Sequence, residues 1–123
     1  MYLLDTNVII YYLKAESSVV KYLEKILSEN VVIYISAITE CELFSYPSIT
    51  INEEIKINEL LKSLFILPID SNIARTAGFL RRTYKMPLAD SIIAASSLLT
   101  NSILITRNIR DFKKIKNLKI ISI

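Results

Sequence analysis

The sequence predicts an α/β fold built on a mostly parallel, five-stranded sheet. Five short apolar runs rich in β-branched residues are separated by segments with helical spacing. These runs do not alternate apolar with polar residues, which is typical of strands buried on both faces. We therefore expect helices to cover both faces of one sheet. The length of 123 residues suits one compact domain, so we expect residues 1–123 to form a single domain.

The predicted strands are recognised by their length and β-branched content. In chain order they are Tyr2 to Leu4, Val31 to Ile35, Leu64 to Ile69, Ile103 to Thr106 and Leu118 to Ile121.

Helical spacing is seen in three of the intervening segments. The first has apolar residues at Val19, Leu23 and Ile26, with charged residues on the opposite side. The second repeats this spacing from Ile73 to Tyr84. The third runs from Leu88 to Leu99, follows a proline suited to a helix start, and contains small residues that allow close packing on the sheet.

Three scarce residue types exclude several classes of site. The chain has no histidine, which excludes histidine general bases, histidine-containing triads and histidine-ligated metals. Its single glycine, Gly78, rules out a glycine-rich phosphate loop, so we expect no nucleotide cofactor. Its single cysteine, Cys41, forms neither an internal disulfide nor a multi-cysteine zinc site, and we expect it to be a small core residue.

Overall composition bears on partners and location. The hydrophobic fraction of 52% and the mean hydropathy of +0.40 predict that some apolar surface meets a partner. The net charge of +3 favours contact with a polyanion. The longest uncharged stretch, from Ser91 to Thr106, is shorter than a membrane span and predicts core. Asp5 interrupts the apolar N-terminus without a preceding basic region, so we expect no signal peptide and a cytoplasmic protein.

Four acidic residues are candidates for a site at the carboxyl end of the predicted sheet, where ligands of parallel sheets bind. Asp5 directly follows the first strand and precedes Thr6 and Asn7. Glu42 lies in a helical segment after the second strand, and helical spacing places it on an apolar face. The other two are Asp90, after Pro87, and Asp111, three residues after Asn108.

Each candidate also has a purely structural interpretation. Asp5 could cap a helix, and Glu42 could be an ordinary surface residue. Asp90 could complement a helix dipole, and Asn108 with Asp111 could form a capping box. Asp70, before a predicted helix, shows nothing beyond capping chemistry, and we interpret it as structural.

Clustered carboxylates suit a definite chemistry. Mg²⁺ and Mn²⁺ are hard cations that prefer oxygen ligands and retain waters, which leaves room for a phosphate. A bound cation lowers the pKa of its water and orients a scissile phosphodiester, so that hydrolysis needs no histidine.

The motifs that carry these residues resemble those of PIN-domain nucleases, especially the VapC-type toxins of toxin–antitoxin pairs. The resemblance covers nearly the whole chain and rests on four motifs in order: LDTNV at 4–8, SAITECEL at 36–43, LADSIIAA at 88–95 and ITRNIRDF at 105–112. A glycine often found after the Glu-Leu pair is replaced here by residues 44–47, FSYP, which concerns the adjoining loop and leaves the acidic residues intact.

The resemblance implies a three-layer α/β/α sandwich and an endoribonuclease that uses Mg²⁺ or Mn²⁺. It assigns catalysis and metal binding to four acidic residues, Asp5, Glu42, Asp90 and Asp111, and a supporting role to Thr6, Asn7, Thr106 and Asn108. It also implies a homodimer and a cognate antitoxin whose C-terminal segment can occlude the active site.

Basic residues supply candidate contacts to an RNA backbone, with an ordinary solvated surface as the alternative. One group lies on the second predicted helix and its end: Arg75, Arg81, Arg82 and Lys85. The other lies around the last acidic candidate: Arg107, Arg110, Lys113 and Lys114.

Three other functions fit the sequence less well. A response-regulator receiver would need an acidic pair beside the first strand and a lysine ending the last, and the chain has neither. A HAD-type phosphatase would need an aspartate where Asn7 stands, two positions after Asp5. A PIN-like module that binds without turnover is disfavoured because all four acidic positions are filled.

Overall fold

The computed structural model describes every residue from Met1 to Ile123 and contains the five predicted strands. They are β1 (Tyr2–Leu4), β2 (Ile33–Ser36), β3 (Phe65–Leu67), β4 (Ile103–Thr106) and β5 (Ile120–Ser122). The bounds of β1 and β4 are those predicted, whereas the other three strands are shorter or shifted by one or two residues.

All strand pairs are parallel, and the order across the sheet is β3-β2-β1-β4-β5. The chain builds outwards from β1 to β3 on one side and then crosses back to add β4 on the other side. The carboxyl ends of β1 and β4 therefore flank the point where the winding direction changes, which is where ligands bind in open parallel sheets.

Seven helices connect and cover the strands. They are α1 (Thr6–Leu13), α2 (Ser17–Ser28), α3 (Ala37–Phe44), α4 (Ile51–Leu61), α5 (Ser71–Tyr84), α6 (Leu88–Thr100) and α7 (Ile109–Phe112). None of them is long and apolar enough to cross a membrane.

Two hydrophobic cores lie on opposite faces of the sheet, as the non-alternating strands predict. Successive residues of one strand contribute to different cores: Leu4 packs with residues of α1, α2 and α4, whereas Leu3 packs with residues of α5 and α6. In β4 the neighbours Ile105 and Leu104 divide in the same way. This arrangement confirms the α/β class with helices on both faces.

Helix α6 passes close to the sheet because its side chains are small. All residues from Ser91 to Ser97 are buried, and Pro87 stands at the N-cap position, as expected. The buried hydroxyls donate within the chain: Ser96 Oγ to the carbonyl of Ile92 at 2.8 Å, and Ser97 Oγ to that of Ser102 at 3.0 Å. No buried side-chain nitrogen or oxygen lacks a partner.

Two features differ from the sequence-based expectations. Helix α4 was not predicted, because its segment is mostly polar and buries only Ile57 and Leu60; a capping box between Thr50 and Glu53 begins it. Cys41 was predicted to be a core residue, and that was wrong: it lies on the exposed side of α3. The buried residues of the short helix α3 are Thr39 and Leu43 instead.

Candidate metal centre

Asp5 lies at the carboxyl end of β1 and is buried, with 3% of its surface exposed. It occupies the N-cap position of α1, yet its side chain makes no capping hydrogen bond. Its Oδ2 instead accepts a hydrogen bond of 2.7 Å from Thr106 Oγ1, at the end of the neighbouring strand β4. Burial, and to a lesser degree the charge of Glu42, raise the pKa of the Asp5 carboxyl. A helix cap therefore does not explain this aspartate.

Glu42 is held at the same edge of the sheet by a chain of hydroxyls. Thr6 Oγ1 donates to Glu42 Oε1 at 2.7 Å and lies 2.9 Å from Thr39 Oγ1. Because the Thr6 proton goes to the carboxylate, Thr39 donates to Thr6. Glu42 itself is exposed, whereas the buried residues of α3 are Thr39 and Leu43.

Asp111 and Asn108 are joined directly, but not as a capping box. Asn108 Nδ2 donates to Asp111 Oδ2 at 3.0 Å, and the Asn108 side chain makes no capping hydrogen bond to α7. The main-chain N–H of Asn108 donates to Thr106 Oγ1 at 2.8 Å. The hydroxyl of Thr106 thus accepts a hydrogen bond from this loop and donates one to Asp5, which connects the two.

Asp90 lies in the first turn of α6 and is half-buried. Its pKa is raised to about 6, mainly by burial and then by the charges of Asp5, Asp111 and Glu42. The three other candidates thus act on Asp90 at once, which places all four carboxylates in one electrostatic field. A helix-dipole role alone would lower this pKa rather than raise it.

The four carboxylates are neighbours without being in direct ligating contact. No three Asp, Glu or Cys side chains come close enough together to hold one ion. A hard divalent cation still fits this donor set, because Mg²⁺ commonly takes one or two carboxylates directly and reaches the others through its waters. All the side-chain groups offered here are oxygens, which excludes a site selective for soft metals.

The predicted supporting residues divide into three that contact a carboxylate and one that does not. Thr6, Thr106 and Asn108 each donate a hydrogen bond to one of the acidic candidates. Asn7 is exposed, and no hydrogen bond joins its side chain to them. Thr39 was not singled out from the sequence, although it lies in the quoted motif three residues before Glu42 and is fully buried.

The predicted RNA-contacting residues also differ in their surroundings. Arg81 and Arg82 are exposed and line an open groove with Lys85. Arg75 and Arg110 are exposed on α5 and α7. Arg107 is instead engaged within the chain, because its guanidinium pairs with Glu16, stacks on a tyrosine ring and donates to the main-chain oxygen of Ile123 at 3.1 Å.

Comparison with known proteins gives consistent results. The family model of the PIN domain matches residues 2–118. Ribonuclease VapC1 of Haemophilus influenzae is 31% identical over 127 aligned positions, which cover 97% of this chain and 95% of that protein. Among solved structures, VapBC2 from Rickettsia felis, bound to a DNA fragment from its promoter, superimposes with a TM-score of 0.86 at 28% identity, covering 99% of this chain and 98% of that one. A toxin–antitoxin complex from Klebsiella pneumoniae gives 0.83 at 30% identity, covering 98% and 96%.

Proposed function

The chain belongs to the PIN-domain family, and from this premise we propose that it hydrolyses RNA phosphodiester bonds at the four carboxylates beyond β1 and β4. Its relatives identify it as a ribonuclease of the VapC type, the toxin of a toxin–antitoxin pair. The observation that supports the site assignment is that Asp5, Asp111 and Glu42 all act on Asp90, where burial first and then these three charges raise the pKa to about 6. A divalent cation would relieve that repulsion, as PIN-domain ribonucleases generally use such ions.

The residues of the chain have distinct roles in this proposal. Asp5, Glu42, Asp90 and Asp111 would hold the cation, directly or through its waters. When bound, the cation supplies an activated water and charge stabilisation at the phosphorus. Thr106 fixes the orientation of Asp5, while Asn108 fixes that of Asp111.

The donors of the site support the choice of cation. With no histidine in the chain and Cys41 on the exposed side of α3, the site offers carboxylate, hydroxyl and amide oxygens, which favour Mg²⁺ or Mn²⁺ over Zn²⁺. We propose either ion as the working cofactor. Asp5, Glu42, Asp90 and Asp111 are thus both the metal-binding and the catalytic residues of the proposal.

An antitoxin is the proposed protein partner, and a groove beside the site suits it. The groove has a volume of about 380 Å³ and lies between α1, α3 and α4. Most of its lining is apolar, including Leu13 and Tyr46, and Glu42 stands at its edge. An antitoxin segment bound in this groove would bury apolar surface. One further residue of that segment would reach the carboxylate of Glu42 and block the site. The relatives solved as toxin–antitoxin complexes support this partner.

The remaining proposals concern the whole chain. We propose that residues 1–123 act as one nuclease domain, that the protein forms a homodimer, and that it works in the cytoplasm without a nucleotide cofactor. Large apolar side chains outside the groove, such as Phe65 and Leu88, are more than half exposed and are available to a second copy.

Cleavage of total RNA by the purified chain tests the function. We expect fragments in Mn²⁺ or Mg²⁺, none in EDTA, and none with Asp5→Asn, which removes a charge while keeping the side-chain volume. Asp70→Asn is the matched control, because the Asp70 side chain caps α5 by accepting a hydrogen bond from the Ile73 N–H. Equal cleavage by Asp5→Asn would refute the assignment. Intact RNA with the wild type, together with retained RNA binding, would favour a binding module, and a covalent phosphoaspartate on Asp5 would favour a phosphatase.

A further inference from the structure

The only glycine of the chain stands where the backbone does not need one. Gly78 lies in the middle of α5 with no left-handed backbone conformation, and a Cβ atom added there would meet nothing within 4 Å. Neither backbone strain nor close packing therefore requires glycine. Inside a helix, glycine is less stable than alanine because it loses more conformational entropy on folding. The position is destabilising for the fold and calls for another reason.

The end of the same helix shows the opposite choice. Lys85 follows α5 in the left-handed region, at φ 55° and ψ 45°, where helices most often place glycine. Four residues of the chain have positive φ, and Gly78 is not among them. Two of the four are asparagines, which tolerate this region, whereas a lysine is strained there. A lysine at the cap and a glycine in the helix both lower stability.

Both residues line one open groove. It has a volume of about 450 Å³ and is formed by five residues at the end of α5: Gly78, Arg81, Arg82, Lys85 and Met86. The lining holds three cations and no carboxylate, and none of these cations takes part in an ion pair. The Arg82 guanidinium lies 5.4 Å from the centre of the Phe79 ring, which supports it and is itself 50% exposed.

The groove lies next to the start of α6, the helix that carries Asp90 of the candidate metal centre. Met86 lines the groove, Pro87 follows, and α6 then begins and carries Asp90 in its first turn. Helices α5 and α6 also have the most extensive contact of any two elements. A polyanion in the groove would therefore lie near the start of the helix that carries Asp90.

We propose that this groove is a binding site for the sugar–phosphate backbone of single-stranded RNA, outside the bond that is cleaved. Arg81, Arg82 and Lys85 contact phosphates, and the missing side chain at Gly78 lets the backbone approach the helix closely. The helix dipole alone would explain two arginines in the last turn, but not the glycine. The inference rests on the proposed function, because it extends the RNA path beyond the metal centre.

Filling the groove provides the first test. The probe is a 5′-labelled, mixed-sequence single-stranded RNA, and its binding is measured by anisotropy in EDTA so that no cleavage occurs. We expect Gly78→Gln to weaken binding on the order of tenfold through loss of close approach. The control is Thr83→Gln, an exposed position about 140° around the same helix at 100° per residue. Equal affinity of Gly78→Gln and wild type would overturn the role of the glycine.

A trade-off between stability and binding provides a second readout. Gly78→Ala should raise the melting temperature by about 3 °C while it weakens RNA binding, since alanine is the better helix former. Lys85→Gly should likewise raise it, because glycine relieves the left-handed strain, and should also weaken binding. If either residue had a structural role instead, its substitution would lower both the melting temperature and the RNA affinity. That result would contradict the proposal.

Salt dependence tests the three cations. Replacing Arg81, Arg82 and Lys85 by glutamine should flatten the slope of log affinity against log salt by about 2, since each single-strand phosphate contact contributes roughly 0.7. Lys21→Gln, on α2 across the sheet, serves as the charge control. An unchanged slope would overturn the groove. Groove-dependent binding without metal-dependent cleavage would refute the nuclease alone, whereas cleavage with unaffected groove variants would refute the groove alone.

Discussion

At the scale of single residues, the site is organised by donors matched to carboxylates. Asp5 has Thr106, Glu42 has Thr6, and Asp111 has Asn108, whereas no side chain donates to Asp90. Asp90 thus carries a charge that is both half-buried and uncompensated, and its pKa is the one raised to about 6. Without a cation, this carboxylate opposes folding at neutral pH.

The first prediction concerns the pH dependence of stability. The folded-state pKa of Asp90 lies above its unfolded value, so the folded protein binds the proton more tightly. Without metal, the free energy of unfolding should fall as the pH rises from about 4, the ordinary carboxyl pKa, to about 6. Asp90→Asn should add about 1 kcal/mol at pH 7, a value reduced for solvent screening, while abolishing cleavage. Urea unfolding between pH 4 and pH 7 measures this free energy. An Asp90→Asn variant that is less stable than the wild type at pH 7 would contradict the prediction.

The second prediction concerns the hydroxyl between Asp5 and the β4–α7 loop. Thr106→Val keeps the shape but removes the donor to Asp5 and the acceptor for the Asn108 N–H. We expect a loss of about 1–3 kcal/mol in unfolding free energy, because two buried groups lose their partner. Thr106→Ser should restore both hydrogen bonds and most of the cleavage rate. Equal rates for Thr106→Val and wild type, measured on one RNA, would show that the hydroxyl does not orient Asp5.

At the scale of elements, the loop from β4 to α7 is fixed by Arg107, which separates Thr106 from Asn108. Its guanidinium pairs with Glu16 and lies 4.6 Å from the centre of the Tyr11 ring. The sequence predicted an RNA contact for this arginine, because a sequence shows which residues are cationic but not which residues they pair with. Glu16 is 91 positions away in the sequence, and no local pattern could reveal that pairing.

The third prediction follows from this loop. Arg107→Leu should lower the unfolding free energy by about 1–2 kcal/mol and reduce cleavage, because the loop that carries Asn108 loses its anchor. Arg110→Leu, an exposed neighbour on α7, is the control and should retain stability. RNA affinity in EDTA should be the same for Arg107→Leu and wild type. A selective loss of affinity with unchanged stability would instead identify Arg107 as an RNA contact.

The elements differ in how far sequence alone predicts them. Strands β1 and β4 were predicted to the residue, because a short apolar run ended by a polar residue has few other interpretations. Helix α4 was missed because two buried residues give no clear period. The order of motifs predicts one site for the four acidic residues, and this stays a prediction. It did not predict that Glu42 would be exposed, since a helical wheel does not show which side of a short helix meets the core.

At the scale of the whole molecule, an apolar groove and a basic groove are formed by different elements of the fold. The apolar groove joins α1, α3 and α4 near Glu42, and the basic groove lies at the end of α5 near Asp90. Two distinct grooves suit a nuclease that binds RNA at one of them and a protein inhibitor at the other.

The fourth prediction concerns the protein partner. Tyr46 lines the apolar groove and is 65% exposed, so Tyr46→Glu should leave the fold intact while placing a charge where an apolar segment binds. We expect the affinity for the cognate antitoxin to fall by roughly 30-fold or more, as for a central aromatic contact. Leu99→Glu, at a position that is 51% exposed and outside the groove, is the control. Calorimetric titration measures both, and tight binding by Tyr46→Glu would place the antitoxin elsewhere.

The most direct test of the central claim, that the four carboxylates form one divalent-metal centre, is the binding of Mn²⁺ followed by electron paramagnetic resonance. The wild type and Glu40→Gln should bind the ion alike, since Glu40 lies on α3 but belongs to no contact of the site. Glu42→Gln and Asp90→Asn should bind it at least tenfold more weakly, by the loss of one ligand charge. Undiminished Mn²⁺ binding by both of these variants would show that the four carboxylates do not form one divalent-metal centre.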